Sequence, residues 1–507
     1  MNKKPLFKRV LVANRGEIAV RIIRTLREMG SESVAIYSPQ DKLSTHCALA
    51  DYAVALKGKT NAETYLNIEQ ITQIIKSCAI DAVHPGYGFL SENPEFCSAC
   101  EKLGVQFIGP GKKSMLLMGD KIQARALMKK NEIPVVPGNE SPIETLEELQ
   151  AIAQSIGFPV ILKAAAGGGG RGMRVVTQAQ DLQKAWEACQ REAKSYFNNS
   201  AVFCERFVTK PRHIEIQILV DQKGNGIHLF ERDCSIQRRH QKLFEEAPSA
   251  YLNEKQRAKL GSLALKAAKA SGYVGAGTVE FICESPEQAY FMEMNARIQV
   301  EHPVTEAITG MDLIAEQIRI AAGLPLEKSQ KDIALRGWSM EARINAENPK
   351  TGFIPEAGLI EDCTFPTGPF VRVDTHIYPG YKIPEDYDSM IAKVIVWGQT
   401  RAEAINRLLR SLSEISIKGV QTTAVFQEAL LQHPRFKDGD FDTGFFEAEK
   451  DYFQSYYEKV DDTYDHAALA AVVALQNSIQ KKNDWMIGPK QSSWNRPKET
   501  SSLREEL

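Results

Sequence analysis

The sequence predicts a multidomain protein of mixed α/β and α+β class, and three observations support this prediction. The chain has 507 residues, which is too many for one hydrophobic core, since a domain typically holds about 150 residues. Its opening segment, KRVLVANRGEIAVRIIRTLREMGSESVAIYS, has the pattern strand, loop, amphipathic helix, strand, which is typical of a doubly wound sheet. Its middle part alternates helices with segments such as HIEIQILV and YFMEMNA, which are typical of antiparallel strands.

Changes in these patterns predict the domain boundaries. Residues 1–118 are predicted to form the doubly wound N-terminal domain, with a right-handed crossover. Residues 119–336 are predicted to form the α+β domain. Residues 337–450 are predicted to form a third domain with further short strands and a helix over 401–415.

Residues 451–507 differ in composition, and we predict a tail that docks on a partner. Asp465 can cap a helix in which four apolar residues share a face, namely Leu469, Val472, Val473 and Ile479. The polar segment that follows contains Trp485 and Trp494, more large aromatic surface than solvation requires. The alternative is an ordinary disordered tail.

Composition excludes several classes of function. Lys plus Arg (62) nearly balance Asp plus Glu (64) for a formal charge of −2, so no overall charge draws the chain to nucleic acid or to a membrane. No apolar run approaches the length of a membrane span, and the first residues do not resemble a signal peptide, which predicts a cytoplasmic protein. The nine scattered cysteines favour reduced thiols over a disulfide framework.

Residues 291–306, FMEMNARIQVEHPVTE, contain a row of alternating polar side chains. Every second residue is polar, namely Glu293, Asn295, Arg297, Gln299 and Glu301. If this segment is extended, all five side chains point the same way. The alternative is an ordinary solvated strand face, but such faces favour Thr, Lys and Ser over groups that chelate cations or pair with carboxylates.

The segment FPVILKAAAGGGGRGMRVVT is predicted to be a hairpin whose loop binds phosphate. It contains G-x-G-x-x-G, but a strand follows the glycines where a dinucleotide fingerprint requires a helix. Successive glycines leave backbone N–H groups free for phosphate oxygens, although a flexible linker would look similar. Lys163 ends the strand before the loop, and Lys121 begins a predicted helix, where a cation costs about 0.3–1 kcal/mol unless an anion is near.

Glu280 lies between apolar neighbours in the predicted strand GTVEFI. A buried carboxylate without a partner is very costly, so Glu280 must be exposed, paired with a cation or bound to a metal. Together with Glu293 and Asn295 it offers oxygen ligands that suit Mg²⁺ or Mn²⁺.

Eight motifs, in order along residues 7–447, together resemble the biotin carboxylase subunit of biotin-dependent carboxylases, which has an ATP-grasp fold. These are VANRGEIAVRIIR, HPGYGFLSEN, GDK, GGGGRGMRVV, ERDCSIQRRHQKLFEEAP, EMNARIQVEHPVTE, ARINAE and YDSMIAKVIVWG. The resemblance implies a mobile lid at about 136–204 that carries the glycine loop, and a C-terminal biotin carboxylase domain.

The resemblance also implies roles for individual residues. It implies that the ATP phosphates contact Lys121, Lys163, Gly169, Gly170 and His213. It implies that adenine is bound, largely through the backbone, by Glu205, Arg206, Phe207 and Val208, with His240 also lining the nucleotide site. The implied metal ligands are Glu280, Glu293 and Asn295. The implied bicarbonate pocket comprises Lys242, Arg297, Gln299 and Val300, with Glu301 as general base and Arg343 facing the biotin ureido oxygen.

The function implied is ATP- and bicarbonate-dependent carboxylation of biotin through carboxyphosphate, with Mg²⁺ or Mn²⁺ as the metal. No biotinyl-lysine hairpin is present, so the carrier protein and the carboxyltransferase are expected to be separate chains, and the family suggests a homodimer. The final acceptor stays open among acetyl-CoA, propionyl-CoA, another acyl-CoA and pyruvate. Two alternatives are another ATP-grasp ligase and a non-catalytic ATP-binding subunit, and the RRHQK and ARINAE segments favour biotin carboxylase over the former.

Overall fold

A computed structural model describes residues 5–139, 141–164, 173–197 and 201–460. The glycine loop, with Gly169 and Gly170, lies outside these residues, as do the predicted tail helix and the two tryptophans that follow it. The chain divides into two compact units, Met1–Phe453 and Gln454–Leu507. The second unit is described only for residues 454–460, which are helical. No described helix is both long and apolar enough to cross a membrane.

The N-terminal part is a parallel sheet with helices, which confirms the doubly wound prediction. Its strands are β1 (Arg9–Val12), β2 (Glu32–Tyr37), β3 (Tyr52–Ala55), β4 (Ala82–His84) and β5 (Gln106–Phe107), in the order β3-β2-β1-β4-β5. Its helices are α1 (Gly16–Glu28), α2 (Thr45–Leu49), α3 (Ile68–Ser77), α4 (Pro94–Lys102) and α5 (Lys112–Gly119). The strand order reverses between β1 and β4, and the carboxyl ends of strands at such a point are where α/β sheets bind ligands.

A small antiparallel sheet follows, with a hydrophobic cluster of its own. Its strands are β6 (Val160–Ala164), β7 (Met173–Val176) and β8 (Val202–Arg206), in the order β7-β6-β8. The helices of the same stretch of chain are α6 (Lys121–Lys130), α7 (Leu146–Ile156) and α8 (Leu182–Phe197). Strands β6 and β7 pair with Lys163 opposite Met173. The prediction that paired strands flank the glycine segment is therefore confirmed.

The main sheet combines strands from both of the later predicted domains. The strands of its first part are β9 (Arg212–Val220), β10 (Gly226–Arg238), β11 (Gln241–Ala247), β12 (Gly275–Cys283) and β13 (Ala289–Asn295). The helices of the same stretch of chain are α9 (Glu254–Ser271), α10 (His302–Thr309) and α11 (Leu313–Ala321). The second part begins with β14 (Trp338–Asn345), which pairs antiparallel with β11. The predicted boundary near residue 337 therefore falls between two strands of one sheet and stays a prediction.

The C-terminal part completes the main sheet and covers it. Its strands are β15 (Glu347–Asn348), β16 (Ile354–Pro355), β17 (Asp362–Thr364), β18 (Val371–Thr375), β19 (Met390–Gly398) and β20 (Ser416–Lys418). Its helices are α12 (Arg401–Ser413), α13 (Ala424–Gln432), α14 (Pro434–Lys437) and α15 (Phe445–Ala448). The strand order of the main sheet is β13-β12-β9-β10-β11-β14-β19-β18. Short 3₁₀ helices lie at Pro39–Asp41, Ala179–Asp181, Gln330–Asp332 and Pro349–Thr351.

The prediction of one extended polar row is wrong beyond Asn295. Strand β13 ends at Asn295, and Glu301 is the residue that precedes helix α10, with Pro303 in the first turn of that helix. Proline is pre-organised for a first helical turn, which explains why the chain turns there. A bulge at Met292, the residue before the polar row begins, shifts the pairing of β13 with β12.

Candidate functional site

A cavity of about 1470 Å³ lies between the N-terminal sheet, the small sheet and the main sheet. Residues that follow β1 and β4, including Arg15 and Tyr87, form one wall. Every predicted site residue that the structure describes lines this cavity, namely Lys121, Lys163, Glu205, Arg206, Phe207, Val208, His213, His240, Lys242, Glu280, Glu293, Asn295, Arg297, Gln299, Val300, Glu301 and Arg343. The structure thus brings the predicted residues together, while their individual roles stay predictions.

Lys242 lies at the centre of the deep end of the cavity. Its ammonium donates to Glu215 at 2.5 Å, to Glu280 at 3.0 Å and to Glu301 at 2.6 Å. Burial lowers the pKa of Lys242, but these carboxylates outweigh the burial and raise it well above its usual value. Lys242 therefore carries a fixed positive charge among three acids.

Glu280 is buried and paired with the Lys242 ammonium, and pairing with a cation is one of the three possibilities that its sequence context left open. Its Oε1 accepts hydrogen bonds from Lys242, Asn295 and Gln299, and its Oε2 lies 2.9 Å from His213 Nε2. Burial raises the pKa of Glu280, but Lys242 and His213 together hold it well below its usual value. The carboxyl is therefore ionised, as a ligand for a cation must be.

The tautomer of His213 follows from its neighbour Gln237. The Gln237 side-chain nitrogen donates to the carbonyl oxygen of Cys234 at 2.8 Å and lies 2.7 Å from His213 Nδ1. Since this nitrogen is a donor, Nδ1 accepts and the ring proton lies on Nε2, facing Glu280.

Glu301 connects Lys242 with Arg343. Its second oxygen accepts a hydrogen bond from Arg343 at 2.9 Å, and Arg343 also donates to Glu245 at 2.7 Å. Burial raises the pKa of Glu301, but Lys242 and Arg343 outweigh the burial and lower it below its usual value. Burial likewise raises the pKa of Glu245, to about 7, although Arg343 opposes the shift. Glu301 is therefore an ionised carboxylate held between two cations.

Arg232 and Glu215 form a buried ion pair next to Lys242, and neither residue was predicted from the sequence. The Arg232 guanidinium contacts Glu215 and donates to Gln217, Thr305, Thr278 and Gln299 at 2.7 to 3.0 Å. Neither side chain of the Arg232–Glu215 pair is accessible to solvent. The signal was present in HIEIQILV, where Glu215 stands between isoleucines as Glu280 does between its apolar neighbours.

Arg297 reaches the cavity from the loop after β13. Its Nε donates to Glu92 at 2.9 Å, and a terminal nitrogen donates to Asn295 at 3.1 Å. Glu92 also accepts the backbone N–H of Ala296 at 2.9 Å. Glu92 comes from the N-terminal part, in the HPGYGFLSEN motif, and sequence reasoning gave it no role.

The outer end of the cavity contains the residues predicted to bind nucleotide. Lys163 donates to Glu205 at 2.6 Å, and Lys121 lies 3.8 Å from Glu293. Lys121 begins α6 directly after its cap residue Asp120, as predicted. The side chains of Lys121 and Lys163 are 59% and 37% exposed, so both ammonium groups are accessible to an incoming anion.

The segment 205–208 and His240 form another part of this outer end. The backbone N–H groups of Arg206 and Phe207 donate to the carbonyl oxygens of Pro137 and Pro159 at 2.8 and 2.9 Å. The Arg206 side chain donates to Glu284 and to the Tyr290 hydroxyl. His240 lies in the turn between β10 and β11 with a left-handed backbone, φ 65°, an unusual conformation for a non-glycine residue.

The arrangement of Glu280, Glu293 and Asn295 is compatible with the predicted metal site. Glu280 and Glu293 are directly opposite each other in the pairing of β12 with β13, and Asn295 Nδ2 donates to Glu280 at 2.9 Å. Burial, followed by repulsion from Glu280, raises the pKa of Glu293. A divalent cation between the two carboxylates would remove this repulsion. His213, Glu215 and Glu280 also converge, and there the Lys242 ammonium contacts both carboxylates.

The fold and the cavity together define a class of protein, the ATP-grasp ligases. Family models match residues 6–115 as the biotin carboxylase N-terminal domain, 120–329 as the ATP-binding domain of the carbamoyl-phosphate synthase L chain, and 341–448 as the biotin carboxylase C-terminal domain. The chain belongs to the biotin carboxylase family and is an ATP-dependent ligase. The sequence-based predictions of family, fold class and enzyme class are confirmed.

Individual relatives agree with this placement. The chain is 52% identical to biotin carboxylase 1 of Bacillus subtilis, over 87% of this chain and 98% of that protein. It is 46% identical to the 2-oxoglutarate carboxylase small subunit of Hydrogenobacter thermophilus, over 94% of this chain and all of that protein. A solved structure of the biotin carboxylase domain dimer of that carboxylase, with MgADP, ADP and bicarbonate, has 47% identity and a TM-score of 0.85, covering 89% and 99% of the two chains.

Proposed function

We propose that this chain carboxylates biotin on a separate carrier protein, using ATP and bicarbonate with Mg²⁺ or Mn²⁺. One observation carries the proposal: the Glu301 carboxylate accepts hydrogen bonds from both Lys242 and Arg343. The same carboxylate can therefore serve an anion beside Lys242 and a second substrate beside Arg343. The chemistry needs both, because bicarbonate is activated first and biotin is carboxylated second.

Bicarbonate is a poor nucleophile, so its attack on the γ-phosphate requires a base. Glu301 takes the proton while a bicarbonate oxygen forms a bond to phosphorus and ADP leaves, which gives carboxyphosphate. An anion that shares Lys242 and Arg343 weakens their hold on Glu301, so the pKa of Glu301 rises from its lowered value toward one suited to a base. Arg297 and Gln299 orient the anion from the same loop.

Charge at the transferring phosphoryl group is neutralised from two sides. Lys121 and Lys163 are accessible cations at the outer end of the cavity, and their ammonium groups bind the nucleotide phosphates. Mg²⁺ or Mn²⁺ held by Glu280, Glu293 and Asn295 supplies positive charge to the phosphate oxygens.

The second half of the reaction takes place beside Arg343. Carboxyphosphate decomposes to CO₂ and phosphate, and the phosphate removes the proton from the biotin ureido nitrogen. Arg343 donates to the ureido oxygen, on which negative charge develops, before the nitrogen attacks CO₂. Burial lowers the pKa of Arg343, but Glu245 and Glu301 outweigh the burial and raise it, so the guanidinium stays charged throughout.

The proposal includes partners on separate chains. The reaction needs a biotinylated carrier and, for the next step, a carboxyltransferase, and two relatives of this chain are themselves named as single subunits of a carboxylase. A homodimer is proposed because the Hydrogenobacter domain forms one. The names of relatives include a 2-oxoglutarate carboxylase and a pyruvate carboxylase subunit, so the acceptor is to be identified with the partner transferase.

Free biotin in place of the carrier allows a direct test of the base. In Glu301→Gln, bicarbonate-dependent ATP cleavage is expected to fall by about 10²–10⁴-fold, the usual contribution of a general base. Nucleotide binding, measured by calorimetry, is expected to persist. Glu414→Gln is the matched control, since Glu414 pairs with Arg410 on the exposed face of α12 and turnover should be unchanged. Normal turnover in Glu301→Gln would exclude Glu301 as the base.

A second variant separates the two half-reactions. Arg343→Ser is expected to suppress carboxylation of free biotin more strongly than bicarbonate-dependent ATP hydrolysis, because Arg343 acts on the biotin oxygen. Both rates are measured on the same preparation, with Arg410→Ser as control. Equal losses in the two rates would contradict the role assigned to Arg343.

A further inference from the structure

Lys393 is a fully buried lysine beside the site, and neither the sequence motifs nor the proposed chemistry gives it a role. It lies in β19, its side chain has no exposed surface, and its Nζ donates to the carbonyl oxygen of Val300 at 2.8 Å. The same ammonium lies 3.3 Å from Glu17 and 4.0 Å from Asp374. Lys393 thus connects the first turn of α1, strand β18 and the loop that carries Glu301.

The charges around Lys393 keep it protonated. Burial lowers the pKa of Lys393, and Arg372 adds to this effect. The carboxyl groups of Glu17, Glu341 and Asp374 outweigh both, so the pKa is raised. The neighbouring His302 ring is neutral, because burial first, and then the charge of Lys393, hold its pKa well below the usual value. A buried, paired ammonium is a rigid donor because its position is determined by several partners at once.

We infer that Lys393 is a positioning residue for bicarbonate activation, because it holds the peptide group between Val300 and the general base Glu301. This inference rests on the proposed function. The peptide group is planar and trans, so fixing the Val300 oxygen toward Lys393 directs the Glu301 N–H the opposite way and limits rotation at Glu301. The effect on catalysis is through geometry, since Lys393 is assigned no contact with substrate.

The rest of the loop is held by other residues, which leaves this peptide group to Lys393. Glu92 holds the Ala296 N–H at 2.9 Å, and Arg232 holds the Gln299 side chain at 2.9 Å. After Glu301, the chain enters α10. There the His302 N–H and ring contact the Gln299 oxygen at 3.3 and 2.8 Å, and the Val304 N–H reaches the Glu301 oxygen only at 3.4 Å. Among these contacts, the Lys393 bond is the short one to the peptide group that joins Val300 to the base.

The test compares kinetics with nucleotide binding in Lys393→Met. We expect kcat/KM for bicarbonate in ATP hydrolysis to fall about 10²-fold, the scale of a misplacement of about 1 Å. The affinity for ATP, measured by calorimetry, is expected to change less than about twofold, since Lys121 and Lys163 are untouched. An unchanged kcat/KM for bicarbonate, or an equal loss of ATP affinity, would overturn the inference.

Two further variants separate positioning from charge balance and from folding. Lys393→Met with Glu17→Gln removes one charge of each sign, so the buried carboxylate is not left unpaired, while Val300 still lacks its donor. We expect this double variant to unfold at a higher temperature than Lys393→Met and to keep the low kcat/KM. Recovery of wild-type kcat/KM in the double variant would overturn the inference and assign Lys393 to charge balance alone.

Asp374→Asn is the matched single control, because it removes a buried charge near Lys393 but leaves the bond to Val300. Its kcat/KM for bicarbonate is expected to stay within about twofold of wild type, which is about 0.4 kcal/mol. A loss equal to that of Lys393→Met would overturn the inference. Absence of bicarbonate-dependent ATP hydrolysis in the wild-type chain would instead refute the proposed function, so the two failures are distinguishable.

Discussion

The deep and outer ends of the cavity hold their charges in different ways. At the deep end, the Lys242 side chain is 13% exposed and contacts three carboxylates, each at most 4% exposed, and the supporting Arg232 is fully buried. At the outer end, Lys121 and Lys163 are partly exposed and pair with one carboxylate each, at 3.8 and 2.6 Å. The deep end is a closed network, whereas the outer end is a set of accessible pairs.

This difference matches the tasks that we propose for the two ends. Proton transfer from a small anion requires a base held within tenths of an ångström, and a buried network of several partners provides that. A polyphosphate with its metal must enter and leave in each cycle, and side chains that are partly solvated can exchange partners at little cost. Four predictions test the comparison, in order of decreasing effect.

Arg232→Met is expected to destabilise the protein by about 3–5 kcal/mol, because Glu215 stays buried but loses the guanidinium that pairs with it. The control is Arg174→Met in the small sheet, where the pair with Glu192 is about 40% exposed and the loss should be below about 1 kcal/mol. Denaturant unfolding monitored by circular dichroism measures both. Similar losses in the two variants would show that the deep network is not special.

Glu245→Gln is expected to change how stability depends on pH. Because the pKa of Glu245 is raised from 4.5 to about 7 in the folded protein, its contribution is fully present below pH 4.5 and is lost as the pH rises through 7. The stability of the wild type relative to the variant should fall over this interval, by at most about 1.4 kcal/mol per pH unit. Unfolding curves from pH 4.5 to 8 measure it, and parallel curves would contradict the raised pKa.

Lys163→Met is expected to raise the KM for ATP by roughly 10- to 100-fold, the value of a charge-assisted hydrogen bond to phosphate. Its stability should change by less than about 1 kcal/mol, since Glu205 keeps its contact with Arg125. Initial rates and thermal unfolding on one preparation test both statements. A large loss of stability with an unchanged KM would place Lys163 in the structural network instead.

Arg206→Lys is expected to have the smallest effect, a change in the KM for ATP below about threefold, the scale of a half-exposed ion pair. The substitution keeps a cation near Glu284 and leaves the backbone of 205–208 unchanged. The control is Arg206→Met, which removes that charge and should show the larger change. A strong effect of lysine would mean that the guanidinium itself recognises the nucleotide.

Much of the site could be predicted because each motif is a continuous stretch of chain. The alternation around Glu280, the glycines after Lys163 and the start of a helix at Lys121 follow from local rules of strand, loop and helix formation. The family resemblance then supplied roles for residues in those same stretches. The prediction of an extended row was wrong beyond Asn295. Pro303 favours a helix start, but in the prediction the regular alternation of polar residues outweighed this local signal.

The sequence by itself determined the fold class, the family and the identity of the charged groups, because these depend on short-range pattern and composition. Only the tertiary structure decided that Glu92 meets Arg297, 205 residues away, and that Lys393 meets Val300, 93 residues away. Such contacts depend on which strands pair, and on a low-dielectric interior in which each charge must find its partner. Neither condition is written in the spacing of residues along the chain.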